Sequence, residues 1–532
     1  MTALVLARLL YNCLLNETQI LFLTGMSKVK TEKTKSKDAL QRDRAVEIAN
    51  TFEWLITAFI LAILFMAFVM QAFQIPTGSM ADTLKGAHFR LRCPQCGYKY
   101  DYGFDSSEYG LRRHAAPRGA FSPPRTRCPS CGYYPAIDTA LQLANGDRIL
   151  VLKCIYQFFE PKRWDVIVFK NPLDPSENYI KRLVALPGET VEIIDGDVYI
   201  DGQIARKPPK VRNELWMPVY DNDYQPARPQ QGSFNGHPWR QPFDVTASNW
   251  QIPEDNPTIF RLDSPTDEIN TIFYDTSIGN DFRAAYAYDD VRRYSDMPYC
   301  SDLVVRFYCL SSGPQGRIGV SLSKYQTDYK AWLDLTGEMV IEALRGNETV
   351  QLASKLVGSL TLNRPALIKF ANVDHQLIFE VGSKKLVYDL GRRPDDAGER
   401  KTNIQPEVGI FGSGRLKLSH IAIFRDTHYT DVDGPSLGRA TGGNPFTLSD
   451  DEFFVLGDNS PNSADGRWWN KPGRANTGLS YRAGVVPRDY LVGKALVVYW
   501  PSSFRAVTGL RFPVIPNFGR MRFIYGGSDR EP

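Results

Sequence analysis

The sequence predicts a mainly β protein carried on one N-terminal membrane helix, and three observations support that reading. An uncharged apolar run lies near the N-terminus, short β-prone runs recur at close spacing through the rest, and two C-P-x-C-G knuckles interrupt them. The 532 residues suffice for several domains, and 43% hydrophobic with 23% charged residues is an ordinary globular composition. A formal net charge of +4 is too mild to imply nucleic acid, and no such partner is expected.

No charged residue occurs from Trp54 to Ala81, and "WLITAFILAILFMAFVMQAF" supplies the roughly 20 apolar residues that cross a hydrocarbon core. A buried helix of that length would usually keep a polar face, so residues 51–73 read as a transmembrane anchor in contact with membrane lipid. The preceding "KVKTEKTKSKDALQRDR" is rich in Lys and Arg, which makes residues 1–50 a cytoplasmic segment and puts everything after Phe73 on the other side. The run is too long for the apolar region of a cleavable signal peptide, and no small-residue cleavage motif closes it. Residues 1–25 are apolar but interrupted. Met26 opens a more typical basic start, so the true start is Met1 or Met26; in the former case the first residues read as a short interfacial helix.

Beyond the anchor, "RILVLK", "WDVIVFK" and "VEIIDGDVYIDG" read as strands, and Asp195-Gly196 between β-prone runs is a strong hairpin signal. Near Pro208 the composition shifts to Pro, Asn, Gln and Trp and reads as loop. From Leu303 strands return, including "LVVRFYC", "RIGVSLS", "QLIFEVGSKKLVYD" and "LKLSHIAIFRD"; their rhythm predicts a β-sandwich similar to lectins or laminin-G modules.

Ser79, in "QIPTGSMADTLKGAHF", raises the question of nucleophile or turn residue. None of the six histidines sits in a motif pairing it with serine, and there is no G-x-S-x-G elbow. Lysine serves as a base for serine once burial brings its pKa down toward neutrality. Lys181, in "ENYIKRLVALPGETVEI", lies on a strand-like apolar run where that is possible, although most such lysines are solvated edge residues.

The ordered stretches "PTGSMADTL", "NGDRILV", "WDVIVFKNP", "YIKRLVALPGETV" and "VLGDNSPNSADGRWW", following an N-terminal anchor, resemble the bacterial type I signal peptidases, membrane-bound Ser/Lys proteases. The resemblance runs from about Trp54 to Tyr499 with two insertions. It implies a signal-peptidase-type β core built from residues 74–205 and 441–500, followed by a tail at 501–532. It implies Ser79 as nucleophile, Lys181 as general base, and the Ser79 N–H with the Thr77 hydroxyl as oxyanion hole; Met80 follows the serine as the family pattern requires. Gly457 and Asp458 open the supporting loop, in which Ser463 would hydrogen-bond Lys181 while Asp465 and Arg467 form an ion pair. The implied substrates are signal peptides of exported preproteins with small residues at positions minus one and minus three. Cleavage would occur at the outer face of the cytoplasmic membrane with no catalytic cofactor. Asp82 for the usual Pro, Trp164 for a common Gly, and Ala185 and Glu189 for Gly and Asp are departures that touch no proton-transfer group.

The insertions are additions to that pattern. Cys93, Cys96, Cys128 and Cys131, within residues 90–135, form a zinc-ribbon-like signature in which four thiolates would make a closed structural site; disulfide bonding is the competing reading. The second insertion, residues 206–440, carries the sandwich, for which a carbohydrate or protein ligand and a passive spacer are equal expectations. Cys300 and Cys309 are candidates for a pair. Two rival functions stand beside the peptidase: an inactive membrane receptor binding sugar or peptide through the sandwich, and a self-cleaving Ser/Lys repressor, against which the anchor argues.

Overall fold

The computed structural model describes residues 37–111, 119–137, 139–289, 291–401, 403–433, 436–474, 480–501 and 517–527. The alternative starts at Met1 and Met26 lie outside these residues, as does most of the tail after residue 501.

Lys37–Leu64 is one helix continued by a π turn over Phe65–Val69. Its stretch Val46–Leu64 is long and apolar enough to cross a membrane, and its side chains are exposed. The single apolar run expected to span residues 51–73 is therefore divided. Its last residues join the strand Met70–Gln74, which pairs antiparallel with Arg148–Leu152. An unbroken apolar run carries no periodicity that separates the end of a helix from the start of a strand.

Met70–Gln74 is one edge of an eight-stranded sheet. Across it run Arg148–Leu152, Leu491–Trp500, Val166–Lys170, Asn178–Ala185, Glu452–Leu456 and Val486–Pro487, with Arg522–Phe523 added beside Leu491–Trp500. Every pairing in it is antiparallel. Strands from both ends of the chain thus alternate in one sheet, and the two insertions leave and re-enter it without breaking it. The Asp195-Gly196 hairpin forms as expected: both residues have positive φ, 51° and 82°, and Thr190–Ile194 pairs with Asp197–Ile200. Trp164, where a glycine is common, has φ 70°, a conformation that costs an L residue about 1–2 kcal/mol. Its indole is buried in a cluster with Val184, Val191 and Leu215 and donates to the Arg206 carbonyl at 3.0 Å. That burial offsets the backbone cost.

The second insertion is a two-layered β structure in which two long strands serve both layers. Leu303–Lys324 pairs with Ala366–Val373 through its first half and with Thr327–Asp334 through its second. Val408–Arg425 follows it along both halves, with a register break between Ser311 and Gly316, where the other partner of Leu303–Lys324 changes from Ala366–Val373 to Thr327–Asp334. The core between the layers includes Trp250, Phe260, Phe307, Ile318, Phe370 and Ile410. The Pro- and Asn-rich stretch read as loop contributes too: Met217–Asp221, Phe260–Asp263 and Asn270–Tyr274 all pair with Val408–Arg425. Met217 faces Arg425 in register, so the ends of the insertion meet. Cys300 and Cys309 are not joined; Cys309 lies in the sandwich core and the Cys300 thiol faces the carbonyls of Asp302 and Asp426.

Candidate active site

Ser79 sits in a run of turns just after the strand Met70–Gln74, closed by hydrogen bonds from Ala81 N to Gly78 O and from Leu84 N to Met80 O. Met80 is fully buried among Ile75, Leu84, Ile149 and Val151, which pins the turn to the sheet. Lys181 lies inside Asn178–Ala185, a strand buried from Ile180 onward. Successive strand residues point opposite ways. Lys181 Nζ lies 2.7 Å from Ser79 Oγ and 3.1 Å from the Ile180 carbonyl, while the next residue, Arg182, turns to Asp458.

Lys181 is 4% exposed and Ser79 9%. Burial lowers the lysine from its ordinary 10.5 to about 8; the charges of Asp465 and Asp458 oppose that shift and Arg467 adds to it. Neither carboxylate is free to pair with the lysine. Asp458 is held by Arg182 through two bonds of 2.7 Å and accepts from Thr83 Oγ1 at 2.5 Å. Asp465 is held by Arg467 at 2.9 and 2.7 Å and accepts from Gly457 N at 3.0 Å. All four ion-pair side chains are 0% exposed. Arg467 also reaches the Thr430 and Ser460 carbonyls, so the loop from Gly457 to Arg467 is braced from several directions.

The structure thus brings Ser79, Lys181, Gly457, Asp458, Asp465 and Arg467 together, with Thr77 beside Ser79 on the wall of the same cleft. Ser463 differs from its expected role. It lines the cleft, but among the described residues its buried Oγ has no hydrogen-bond partner, Lys181 included. Gly457 is required beside it: a Cβ there would come within 2.2 Å of Ser463 Oγ and 2.5 Å of the Ser79 carbonyl. Sequence reasoning missed Arg182 and Asn459. Arg182 adjoins a singled-out lysine, and a charged pair of neighbours on an apolar strand was the available signal.

The cleft has a volume of about 1180 Å³ and both insertions wall it, through Tyr98–Phe104 and the adjoining Ala285–Asp289. The first wall belongs to the hairpin His88–Arg92 and Lys99–Gly103, which carries the first cysteine knuckle. The two knuckles are alike. In each, the first cysteine's N–H bonds the carbonyl of the residue five positions on, Tyr98 or Tyr133, and Gly97 or Gly132 has positive φ. The four Sγ atoms lie within 4.8 Å of one another, with Cys93 to Cys131 at 3.7 Å and Cys96 to Cys128 at 3.6 Å, and none is in a disulfide. Tetrahedral zinc with Zn–S near 2.3 Å puts its sulfurs about 3.8 Å apart. The cluster fits a metal ion of that kind.

The profile of the peptidase S26 signal peptidase family matches residues 135–256 and 420–500, which include Lys181 and the Gly457–Arg467 loop but not Ser79. A probable signal peptidase I of Synechocystis sp. is 42% identical over 78 residues, covering 13% of this chain and 40% of the relative. Signal peptidase I of Rickettsia canadensis is 30% identical over 151 residues, 28% of this chain and 42% of the relative. That of Leptolyngbya laminosa is 31% identical over 135 residues, 22% of this chain and 63% of the relative. The matches thus span less than two thirds of these relatives. Among solved structures, a carbohydrate-binding module from Bacillus subtilis aligns over 36% of this chain and 97% of its own at a TM-score of 0.21 and 8% identity.

Proposed function

We propose that this chain, whose core is similar to the type I signal peptidases and carries a signal peptidase S26 signature, is a membrane-anchored serine endopeptidase that removes signal peptides from exported preproteins. The observation that carries the reading is the 2.7 Å approach of the Lys181 amine to the Ser79 hydroxyl in a setting that lowers the amine to about 8. A neutral Lys181 takes the Ser79 proton as Oγ attacks the scissile carbonyl. The Ser79 N–H and the Thr77 hydroxyl face the developing oxyanion, each such donor lowering the barrier by about 3–4 kcal/mol. The leaving amine takes the proton from Lys181, and Lys181 then deprotonates the water that releases the acyl group.

Burial outweighs the upward pull of the Asp465 and Asp458 carboxylates, each of which is held by an arginine, and Arg467 adds to the lowering. Val46–Leu64 anchors the enzyme, with the catalytic part on the outer face, and zinc on Cys93, Cys96, Cys128 and Cys131 holds the cleft wall without entering the chemistry. The sandwich is an accessory module for sugar or protein.

The test is cleavage of a preprotein by detergent-solubilised protein. Ser79→Ala and Lys181→Ala are expected to lose at least about 1000-fold in kcat while staying folded, in line with removal of a nucleophile or its base. Wild-type kcat/KM is expected to rise with pH through about 8 as Lys181 loses its proton. Normal cleavage by either variant refutes the dyad, and an inactive wild type favours the receptor.

A further inference from the structure

The segment Tyr286–Asp289 of the second insertion reaches the nucleophile loop at several points. The Tyr288 ring lies over Gly78, where a Cβ would fall 2.3 Å from Cε1. Tyr288 is fixed there, its hydroxyl donating to Ala87 O at 3.2 Å and its carbonyl accepting from Gly103 N at 2.8 Å. Tyr286 donates to the Asp458 carbonyl at 2.9 Å. Asp289 Oδ1 accepts from Asn459 Nδ2 at 2.7 Å and from Asn462 Nδ2 at 3.2 Å.

Asn459 is what makes these contacts matter. Its backbone N–H donates to Ser79 O at 3.1 Å and its Nδ2 donates to Gly78 O at 3.2 Å. The Gly78 carbonyl and the Ser79 N–H belong to one planar peptide unit. Holding that carbonyl therefore sets the direction in which the Ser79 N–H points, and this N–H is the backbone donor of the proposed oxyanion hole. An asparagine amide can present either its oxygen or its nitrogen to a neighbour, but an ionised carboxylate only accepts. Asp289 consequently keeps Nδ2, rather than Oδ1, turned toward the Gly78 carbonyl.

We propose that Tyr286–Asp289 is a positioning strap: through Asn459, Asp289 orients the Gly78–Ser79 peptide, and the Tyr288 ring backs it, so that the second insertion completes the active site. The proposal rests on the Ser79/Lys181 reading above. Asp289 bonds Asn459 and Asn462 rather than Ser79, and it acts on the nucleophile loop through Asn459. Its second oxygen, Oδ2, is enclosed and has no partner among the described residues, so Asp289→Ala sets the loss of two hydrogen bonds to Oδ1 against the removal of an unsatisfied buried acceptor and should cost little stability.

The experiment compares wild type with Asp289→Ala, Asp289→Asn, Tyr288→Ala and Tyr288→Phe. Three quantities are read: kcat and KM for preprotein cleavage, the rate at which p-nitrophenyl acetate acylates Ser79 with release of nitrophenolate, and the thermal unfolding midpoint. Loss of an aimed oxyanion donor costs about 100- to 1000-fold, and a misaimed one is expected to cost about 10- to 100-fold in kcat and in acylation for Asp289→Ala. KM and the unfolding midpoint should hardly move. Asp289→Asn, which retains an accepting oxygen, and Tyr288→Phe, which retains the ring, should recover most of the rate; Tyr288→Ala should not.

Asp289→Ala within twofold of wild type in both rates overturns the strap. So does a loss that follows a lowered unfolding midpoint and is shared equally by Asp289→Asn. Strap-dependent acylation of Ser79 without any preprotein cleavage removes the signal peptidase reading and leaves the strap standing. A wild type that neither cleaves nor is acylated removes both.

Discussion

Lys181 and Lys207 are both 4% exposed, yet their surroundings drive them in opposite directions. Lys181, at the cleft, falls to about 8 because burial penalises its charge by more than the arginine-held carboxylates of Asp465 and Asp458 restore. Lys207 lies where the core meets the sandwich, paired with Asp374 and 3.2 Å from Asp426, and is raised well above its ordinary value despite the same burial penalty. Lys324 follows the second pattern through Asp302. Burial by itself makes a lysine a base; an unclaimed carboxylate makes it a structural cation.

The largest expected effect breaks the second region. Lys207→Met leaves buried carboxylates without their cation and is expected to cost about 3–5 kcal/mol in denaturant unfolding. The matching change in the first region should go the other way. Folding lowers Lys181 from 10.5 to about 8, so the protonated folded form is penalised by roughly 3 kcal/mol, fully below pH 8 and not at all above 10.5. Lys181→Met is therefore expected to abolish cleavage while stabilising the fold at pH 7, with the gain shrinking as pH rises from 8 to 10.5. Equal destabilisation by the two substitutions would erase the contrast.

A smaller effect sharpens it. Arg467→Met frees the Asp465 carboxylate, whose charge already acts to raise Lys181, and should move the midpoint of the kcat/KM profile upward by about one pH unit. An unmoved midpoint means that the arginine does not shield the lysine. The smallest expected effect concerns the cleft wall. Stripping metal with a chelator, or Cys128→Ser, should release about one zinc per chain and raise KM about threefold to tenfold with kcat retained, because the cysteine cluster that would hold it belongs to the cleft wall and not to the reacting atoms.

How much was legible follows from how local each feature is. The knuckles were legible because each is a short turn with its own glycine, Gly97 or Gly132. The Asp195-Gly196 hairpin was legible for the same reason. Met217–Asp221 and Asn270–Tyr274 were not, since they are short, include Pro218 and Asn270, and are held as strands by pairing with Val408–Arg425 far along the chain. Ser463 illustrates the opposite limit: a motif places the residue, but its hydrogen bond depends on rotamer and packing, and here none forms.

The sequence by itself determined the apolar helix, the β character, the four-cysteine cluster and the order of the motifs, because each depends on composition or on spacing within a few residues. Only the tertiary structure decided where Lys181 sits and what surrounds it. It lies 102 residues from Ser79, and Asp289 lies 170 from Asn459, so folding alone brings these groups together. The pKa of an amine depends on the solvent and charges around it, and those are supplied by strands and loops from the whole chain.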